Sequence, residues 1–152
     1  MFYGEYEHQL DSKGRVFMPA KLRQVLEAHG VQKCYVTRGL DRCLFLYTGE
    51  EWKKQEEQFK ALPMTKASAR QFNRIYFGGA TEVEFDRQGR INLPAHLKGY
   101  ASIEKEVVFI GVSDRVEIWS REAWSSYFEK SQQTFEEVAE RLVDGAPDDT
   151  KA

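Results

Sequence analysis

The sequence predicts an α+β fold in which strands dominate, with one unit written twice and helices joining and following the two copies. Three observations predict it. Residues 11–23, DSKGRVFMPAKLR, recur 75 positions later as residues 86–98, DRQGRINLPAHLK, and self-similarity at a fixed offset marks a repeated supersecondary unit. Asp11, Gly14, Arg15, Pro19, Ala20 and Leu22 return as Asp86, Gly89, Arg90, Pro94, Ala95 and Leu97. Short runs on either side of this segment alternate apolar and polar residues, as half-buried strands do. Finally, a proline follows each second run at the point where a helix can open.

Taken in order, Tyr6-Glu7-His8-Gln9-Leu10 and Glu82-Val83-Glu84-Phe85 alternate and read as strands. Asp at the first position and Gly at the fourth of DSKG or DRQG suits a type I turn, because the Asp side chain accepts from nearby amides and Gly relaxes the exit. Val16-Phe17-Met18 and Ile91-Asn92-Leu93 then return as strands, so a hairpin is expected in each copy. Pro19 and Pro94 are expected at the first helical position, opening a helix through Leu22, Val25 and Leu26 and a shorter one ending at Gly99. Two apolar strands follow in each copy: Cys34-Tyr35-Val36 and Cys43-Leu44-Phe45-Leu46, then Val107-Val108-Phe109-Ile110 and Val116-Glu117-Ile118-Trp119. Asp41-Arg42 is echoed by Asp114-Arg115 between them. Each copy therefore reads β-turn-β-α-β-β.

Between the copies, Thr48-Gly49-Glu50-Glu51 offers a capping box for a helix carrying Trp52, Phe59 and Leu62. Pro63 interrupts it. A second helix from about Thr65 is expected to carry Phe72, Ile75 and Tyr76 inward and to end at Gly78-Gly79. After copy two, Ser120 opens a helix with Trp124, Tyr127 and Phe128, continuing through Phe135, Val138, Ala139 and Leu142. The boundaries follow: modules over 5–52 and 81–124, connecting helices over 53–80, and a C-terminal helix and acidic tail over 125–152, frayed from Gly145 onward.

Composition narrows the function. With 152 residues, 41% hydrophobic and 30% charged, the chain is long enough to bury a core without a disulfide or metal staple. No apolar run approaches the ~20 residues that span a bilayer. The amino end shows no basic leader followed by an apolar block, so a cytoplasmic protein without membrane contact is expected. Cys34 and Cys43 lack metal-ligand spacing, and His8, His29 and His96 are scattered, so neither a metal nor a cofactor is expected. No Gly-rich phosphate loop, His-Glu-x-x-His or Gly-x-Ser-x-Gly is present, which argues against an enzyme.

The net charge of −2 does not announce a nucleic-acid binder, yet its distribution is uneven. Residues 129–152 carry −4 and the remainder +2. Lys13, Arg15, Lys21 and Arg23 surround Asp11, while Arg87, Arg90 and Lys98 surround Asp86. These cations could meet phosphates, and Arg15 or Arg90 could fork onto a guanine edge. Alternatively Asp11 pairs with Arg15, and Asp86 with Arg90, across the turn. The chemistry leaves both readings open. Lys66, Arg70 and Arg74 form a second basic stripe at helical spacing, which suits a solvated face or an ion-paired contact between subunits. Trp52, Trp119 and Trp124 read as core or interface.

The segments HQLDSKGRVFMPAKLR and VEFDRQGRINLPAHLK, with the opening MFYGEYEHQLDSKGR and the central ARQFNRIYFGGATEVEFDRQGR, resemble the MraZ family over about residues 1–124. That resemblance implies two SpoVT/AbrB-type modules closing a swapped-hairpin, double-psi-like barrel. It also implies a sequence-specific DNA-binding transcriptional regulator of the nucleoid, a repressor at repeated boxes in the promoter of its own division and cell-wall gene cluster. Its implied partners are double-stranded DNA with direct repeats and further copies of itself, in a ring such as an octamer. Oligomer contacts would fall on the helices from Trp52 to Tyr76 and Trp124 to Leu142. Arg15 and Arg90 match the motif arginines; Lys13, Lys21 and Arg23 match less distinctive basic positions, and Arg87 joins them as a candidate DNA contact from the basic surplus of the second turn. His8-Gln9 and Val83-Glu84 stand where AbrB-like relatives often carry basic residues, which leaves open whether the second motif contacts DNA or serves packing. The rival reading is an antitoxin-like interaction module that uses the acidic C-terminal segment.

Overall fold

Strand pairing crosses between the two copies. The computed structural model describes residues 1–145, so Asp148, Asp149 and Lys151 of the acidic tail lie outside the described residues. Two compact units divide the chain after Arg121, and each is described by itself.

In the first unit, copy one supplies β1 (Phe2–Gln9), β2 (Arg15–Phe17), α1 (Ala20–Ala28), β3 (Lys33–Arg38) and β4 (Leu44–Thr48). Helices α2 (Gly49–Lys60) and α3 (Ala67–Tyr76) connect it to copy two. Copy two supplies β5 (Thr81–Glu84), β6 (Arg90–Asn92), α4 (Ala95–Tyr100), β7 (Glu106–Ser113) and β8 (Val116–Ser120). The unit is α+β with antiparallel strands, as the alternation predicts.

The expected hairpins are not built as such. β1 and β2 meet only at the turn, where the Asp11 amide donates to the Arg15 carbonyl at 2.8 Å. Beyond that point each strand finds its partner in the other copy. β1 pairs with β7, β5 pairs with β3, and β2 pairs with β6. Local hairpins β3–β4 and β7–β8 do form, and β4 pairs with β8 to join them at the centre. The resulting sheet has the order β1-β7-β8-β4-β3-β5, beside a two-stranded ribbon of β2 and β6. The six-stranded sheet is open: the described pairings do not close a barrel.

Burial explains the exchange. A three-residue strand cannot bury its one inward side chain against its own turn, whereas β2 and β6 together place Val16 opposite Ile91, each 1% exposed. Those two join Met18, Leu22, Leu26, Leu93, Leu97, Phe109 and Ile118 in a single core drawn from both copies. Apolar burial of this kind stabilises a fold by about 25 cal/mol per Å² removed from water. Pro19 and Pro94 sit one position earlier than expected, as the N-caps of α1 and α4; their extended ψ ends the strand and sets the helix direction. The Thr48 hydroxyl caps α2 by accepting from the Glu51 amide at 3.2 Å.

Trp52, expected in the core or an interface, and Tyr76, expected inward, are both buried, whereas Ile75, also expected inward, is 49% exposed, because the one-residue step along α3 turns it off the face that Tyr76 packs. Trp52 stacks on Tyr35 at 5.6 Å and on Tyr76 at 5.8 Å, and the Tyr76 hydroxyl donates to Gln55 Oε1 at 2.8 Å. The connecting helices thereby clamp onto β3 and β4, leaving Leu62, Met64 and Ile75 exposed. In the second unit, most of α5 (Arg121–Gln132) carries Trp124 against Tyr127 and Phe128, and α6 (Phe135–Val143) exposes Phe135, Leu142 and Val143.

Candidate nucleic-acid interface

The two repeat motifs converge on the ribbon. Gly14 and Gly89 take φ of +80° and +82°, a conformation natural to glycine, and each turn is locked by the other copy. The Met18 amide donates to the Gly89 carbonyl at 3.0 Å, and the Leu93 amide donates to the Gly14 carbonyl at 3.2 Å. The motif loops, 75 residues apart in sequence, are thus neighbours across a local pseudo-two-fold relation.

Within each turn the aspartate does the same work. Asp11 Oδ1 accepts from the amides of Lys13 and Arg15 at 2.9 and 3.0 Å, and Oδ2 accepts from Arg15 Nε at 2.8 Å. Asp86 repeats this with the amides of Gln88 and Arg90, both at 2.9 Å, and with Arg90 Nε at 2.7 Å. The amide of each arginine, helped by its guanidinium, holds the Asp11 and Asp86 carboxyls below the usual carboxylate range. Pairing across the turn is therefore real, and it decides which edge of each arginine is engaged. Nε faces the carboxylate, and for Arg15 the two Nη atoms have no protein partner among the described residues. Arg15 keeps 32% of its side chain exposed and Arg90 19%, so neither is sealed in the core.

Alternation along the ribbon fixes what faces out. With Val16 and Ile91 inward, Arg15, Phe17, Arg90 and Asn92 share the opposite face. Arg90 lies over the Phe17 ring at 5.8 Å, and Phe17 is 44% exposed. Lys13 and Arg87 are exposed on the turns themselves.

The helices add cations crosswise. A Cβ placed on Gly14 would lie 2.8 Å from Lys98 Nζ, and one on Gly89 would lie 2.9 Å from Arg23 Cδ and closer still to Arg23 Nη1. So Arg23, expected beside its own motif, belongs to the second turn, and Lys98 belongs to the first. Lys13, Arg15, Lys98, Arg23, Arg87 and Arg90 surround the ribbon against Asp11 and Asp86. Lys21 is exposed on α1, and among the described residues no hydrogen bond or ion pair ties it to the ribbon. Asn92 and Phe17 were read from the sequence only as strand residues, and Lys98 only as a cation beside Asp86. Lys98 was detectable as the repeat equivalent of Arg23; the outward placement of Phe17 and Asn92 depends on β2–β6 register.

An open groove of about 1000 Å³ adjoins the second turn. Its lining mixes Arg23, Lys33 and Arg87 with Glu27, Glu84 and Asp86, so the formal charges of these side chains sum to zero. Among the described residues no group of three or more His, Cys, Asp or Glu could hold a metal ion, and no helix is long and apolar enough to cross a membrane.

One family model, described as "MraZ protein, putative antitoxin-like", matches the chain twice, over residues 1–75 and 76–145. The chain belongs to the MraZ family. The division between the MraZ matches falls at the end of α3, so each match takes in one motif turn, one PAxL helix and one β-hairpin. MraZ membership is consistent with a transcription-regulator-like or an antitoxin-like role, and the family is not known as one of enzymes.

Proposed function

We propose that this MraZ-family chain is a sequence-specific DNA-binding transcriptional regulator. It acts as a repressor at repeated boxes in the promoter of its own division and cell-wall gene cluster, as a ring-shaped homo-oligomer such as an octamer. The observation that carries the reading is the ribbon: two arginines oriented by their own aspartates on the outward face of β2–β6, within a rim of further cations. A two-stranded ribbon fits the major groove of B-DNA. Arg15 and Arg90 are the principal contacts, and Lys13, Arg23, Arg87 and Lys21 meet phosphates. Modules over 5–52 and 81–124 are the repeating DNA-facing units. A ring that presents the same edge repeatedly gains apparent affinity by about 10²–10⁴-fold over one weak site, which reconciles tight binding with a net charge of −2.

Footprinting and mobility shifts on DNA upstream of the chain's own gene test this. Arg15→Ala is expected to weaken binding most, Arg90→Ala to an intermediate degree and Lys66→Ala least. Log affinity should fall with log salt by about 0.9 per phosphate contacted. Equal losses from all three variants, or a flat salt response, would overturn the reading.

The family description favours a second reading, in which the acidic segment from Glu129 onward captures a protein partner. Exposed Phe135, Leu142 and Val143 on α6 are the surface it would use. A chain ending at Gln132 that keeps full repression in cells would remove this reading.

A further inference from the structure

The face of the ribbon is symmetric in one pair of residues and asymmetric in the other. In the register of β2 and β6, Arg15 stands opposite Asn92 and Phe17 stands opposite Arg90. The repeat relates Arg15 to Arg90 and Phe17 to Asn92. The two arginines are thus equivalent across the local pseudo-two-fold, while an aromatic ring occupies one of the remaining positions and a carboxamide the other.

We propose that these four side chains form the base-reading surface, and that Phe17 and Asn92 are the specificity-determining pair that gives the bound box its direction. This rests on the reading that the ribbon enters DNA. Chemistry assigns each a target. Arg15, with Nε held by Asp11, keeps its Nη pair for the fork onto the O6 and N7 of guanine; Arg90 Nε is held likewise by Asp86, with its Nη1 also 3.9 Å from Asp11 Oδ2. Asn92 matches the N6 and N7 of adenine, and the exposed ring of Phe17 matches the methyl group of thymine. Residues opposite one another in an antiparallel pair lie about 4.5–5.5 Å apart, and same-face neighbours along a strand about 6.4–6.8 Å apart. Against a rise of about 3.4 Å per base pair, the four side chains cover about two to three base pairs.

Two equivalent arginines alone would favour a core that reads the same on both strands. Phe17 and Asn92 break that equivalence, so one chain docks in a single orientation. Neither residue serves the core: both point away from Val16 and Ile91, and Phe17 is 44% exposed. Their identities are free to be chosen by what they touch.

The test is selection from a random duplex library by the full chain, run in parallel for the parent, Asn92→Ala, Asn92→Phe and Phe17→Asn, with thermal unfolding of each as the folding control. The parent is expected to recover an asymmetric core. Asn92→Ala should bind the parent's box about 5- to 150-fold more weakly and lose base preference at one position, with the guanine positions kept. Asn92→Phe should recover a core that reads the same on both strands. Should Asn92→Phe not fold, Phe17→Asn, which symmetrises the surface the other way at an exposed site, gives the same readout. Folded variants that all recover the parent's asymmetric core overturn the proposal while leaving DNA binding intact. A parent that recovers no motif overturns the DNA reading itself, and this proposal with it.

Discussion

Arg90 reaches into the other copy: its Nη1 lies 3.9 Å from Asp11 Oδ2, the same oxygen that accepts from Arg15 Nε at 2.8 Å. Among the described residues no matching contact runs from Arg15 to Asp86. One carboxylate of copy one therefore faces guanidinium groups of both copies, while its counterpart serves one. At this exposure an ion pair contributes little to stability. The contact accompanies the placement of Arg90 over the Phe17 ring at 5.8 Å.

The carboxylates make a prediction about acid. Because Asp11 and Asp86 have folded-state pKa values below the ordinary one, the folded state binds fewer protons than the unfolded chain as each group titrates. Their stabilisation is complete above the ordinary carboxylate pKa, about 3.9, and is lost as pH falls through the depressed folded values. Their contribution to the thermal midpoint should be constant from pH 7 to about 5 and drop below about pH 4, beneath the separate fall that His8, whose folded-state pKa is depressed by burial, adds as pH passes below its ordinary value of about 6.5. In Asp11→Asn/Asp86→Asn the drop should be shallower. An acid limb identical to the parent's would show that these contacts are not formed in solution.

The turn glycines predict a matched pair of losses with an internal control. A side chain at φ near +80° costs about 1–2 kcal/mol, and at both positions the new Cβ must also displace a cation of the other copy. Gly14→Ala and Gly89→Ala should each lower urea-unfolding stability by at least that amount. Gly99, inside α4 with nothing within 4 Å of an added Cβ, should respond oppositely, Gly99→Ala gaining about 0.4–1 kcal/mol.

The two faces of the ribbon should behave as different materials. Ile91→Ala removes a side chain 1% exposed at the junction of the copies and is expected to cost about 2–5 kcal/mol, with Ile91→Val costing about 0.5–1.5. Phe17→Ala on the outward face should stay within about 0.5 kcal/mol. Chemical denaturation of the three variants checks this; comparable losses at Phe17 and Ile91 would mean the ribbon is buried on both sides.

The cysteines should be silent. Both thiols are free and buried; burial pushes Cys34 up to about 12 and also raises Cys43. Since the thiolate is the reactive form, a disulfide reagent at pH 8 should modify neither in native buffer and both once denaturant unfolds the chain. Rapid native labelling would contradict their placement in the core.

Much of this protein was determined by the sequence alone. The 75-residue repeat, the Asp and Gly that make each turn, the proline before each helix and the alternation of the strands are local properties. A short peptide expresses them through φ preferences, side-chain-to-amide bonds and apolar periodicity. Arg15 and Arg90 stood out for the same reason, as did their pairing with Asp11 and Asp86, which lies within one turn. Tertiary structure alone decided the partners. Nothing local distinguishes β2 returning along β1 from β2 crossing to β6. The choice falls to the arrangement that buries Val16 against Ile91 and satisfies the Gly14 and Gly89 carbonyls from the opposite copy. The same crossing moved Arg23 and Lys98 to each other's turns and turned Phe17 and Asn92 outward, because burial and register are properties of the folded ensemble of contacts rather than of any segment of chain.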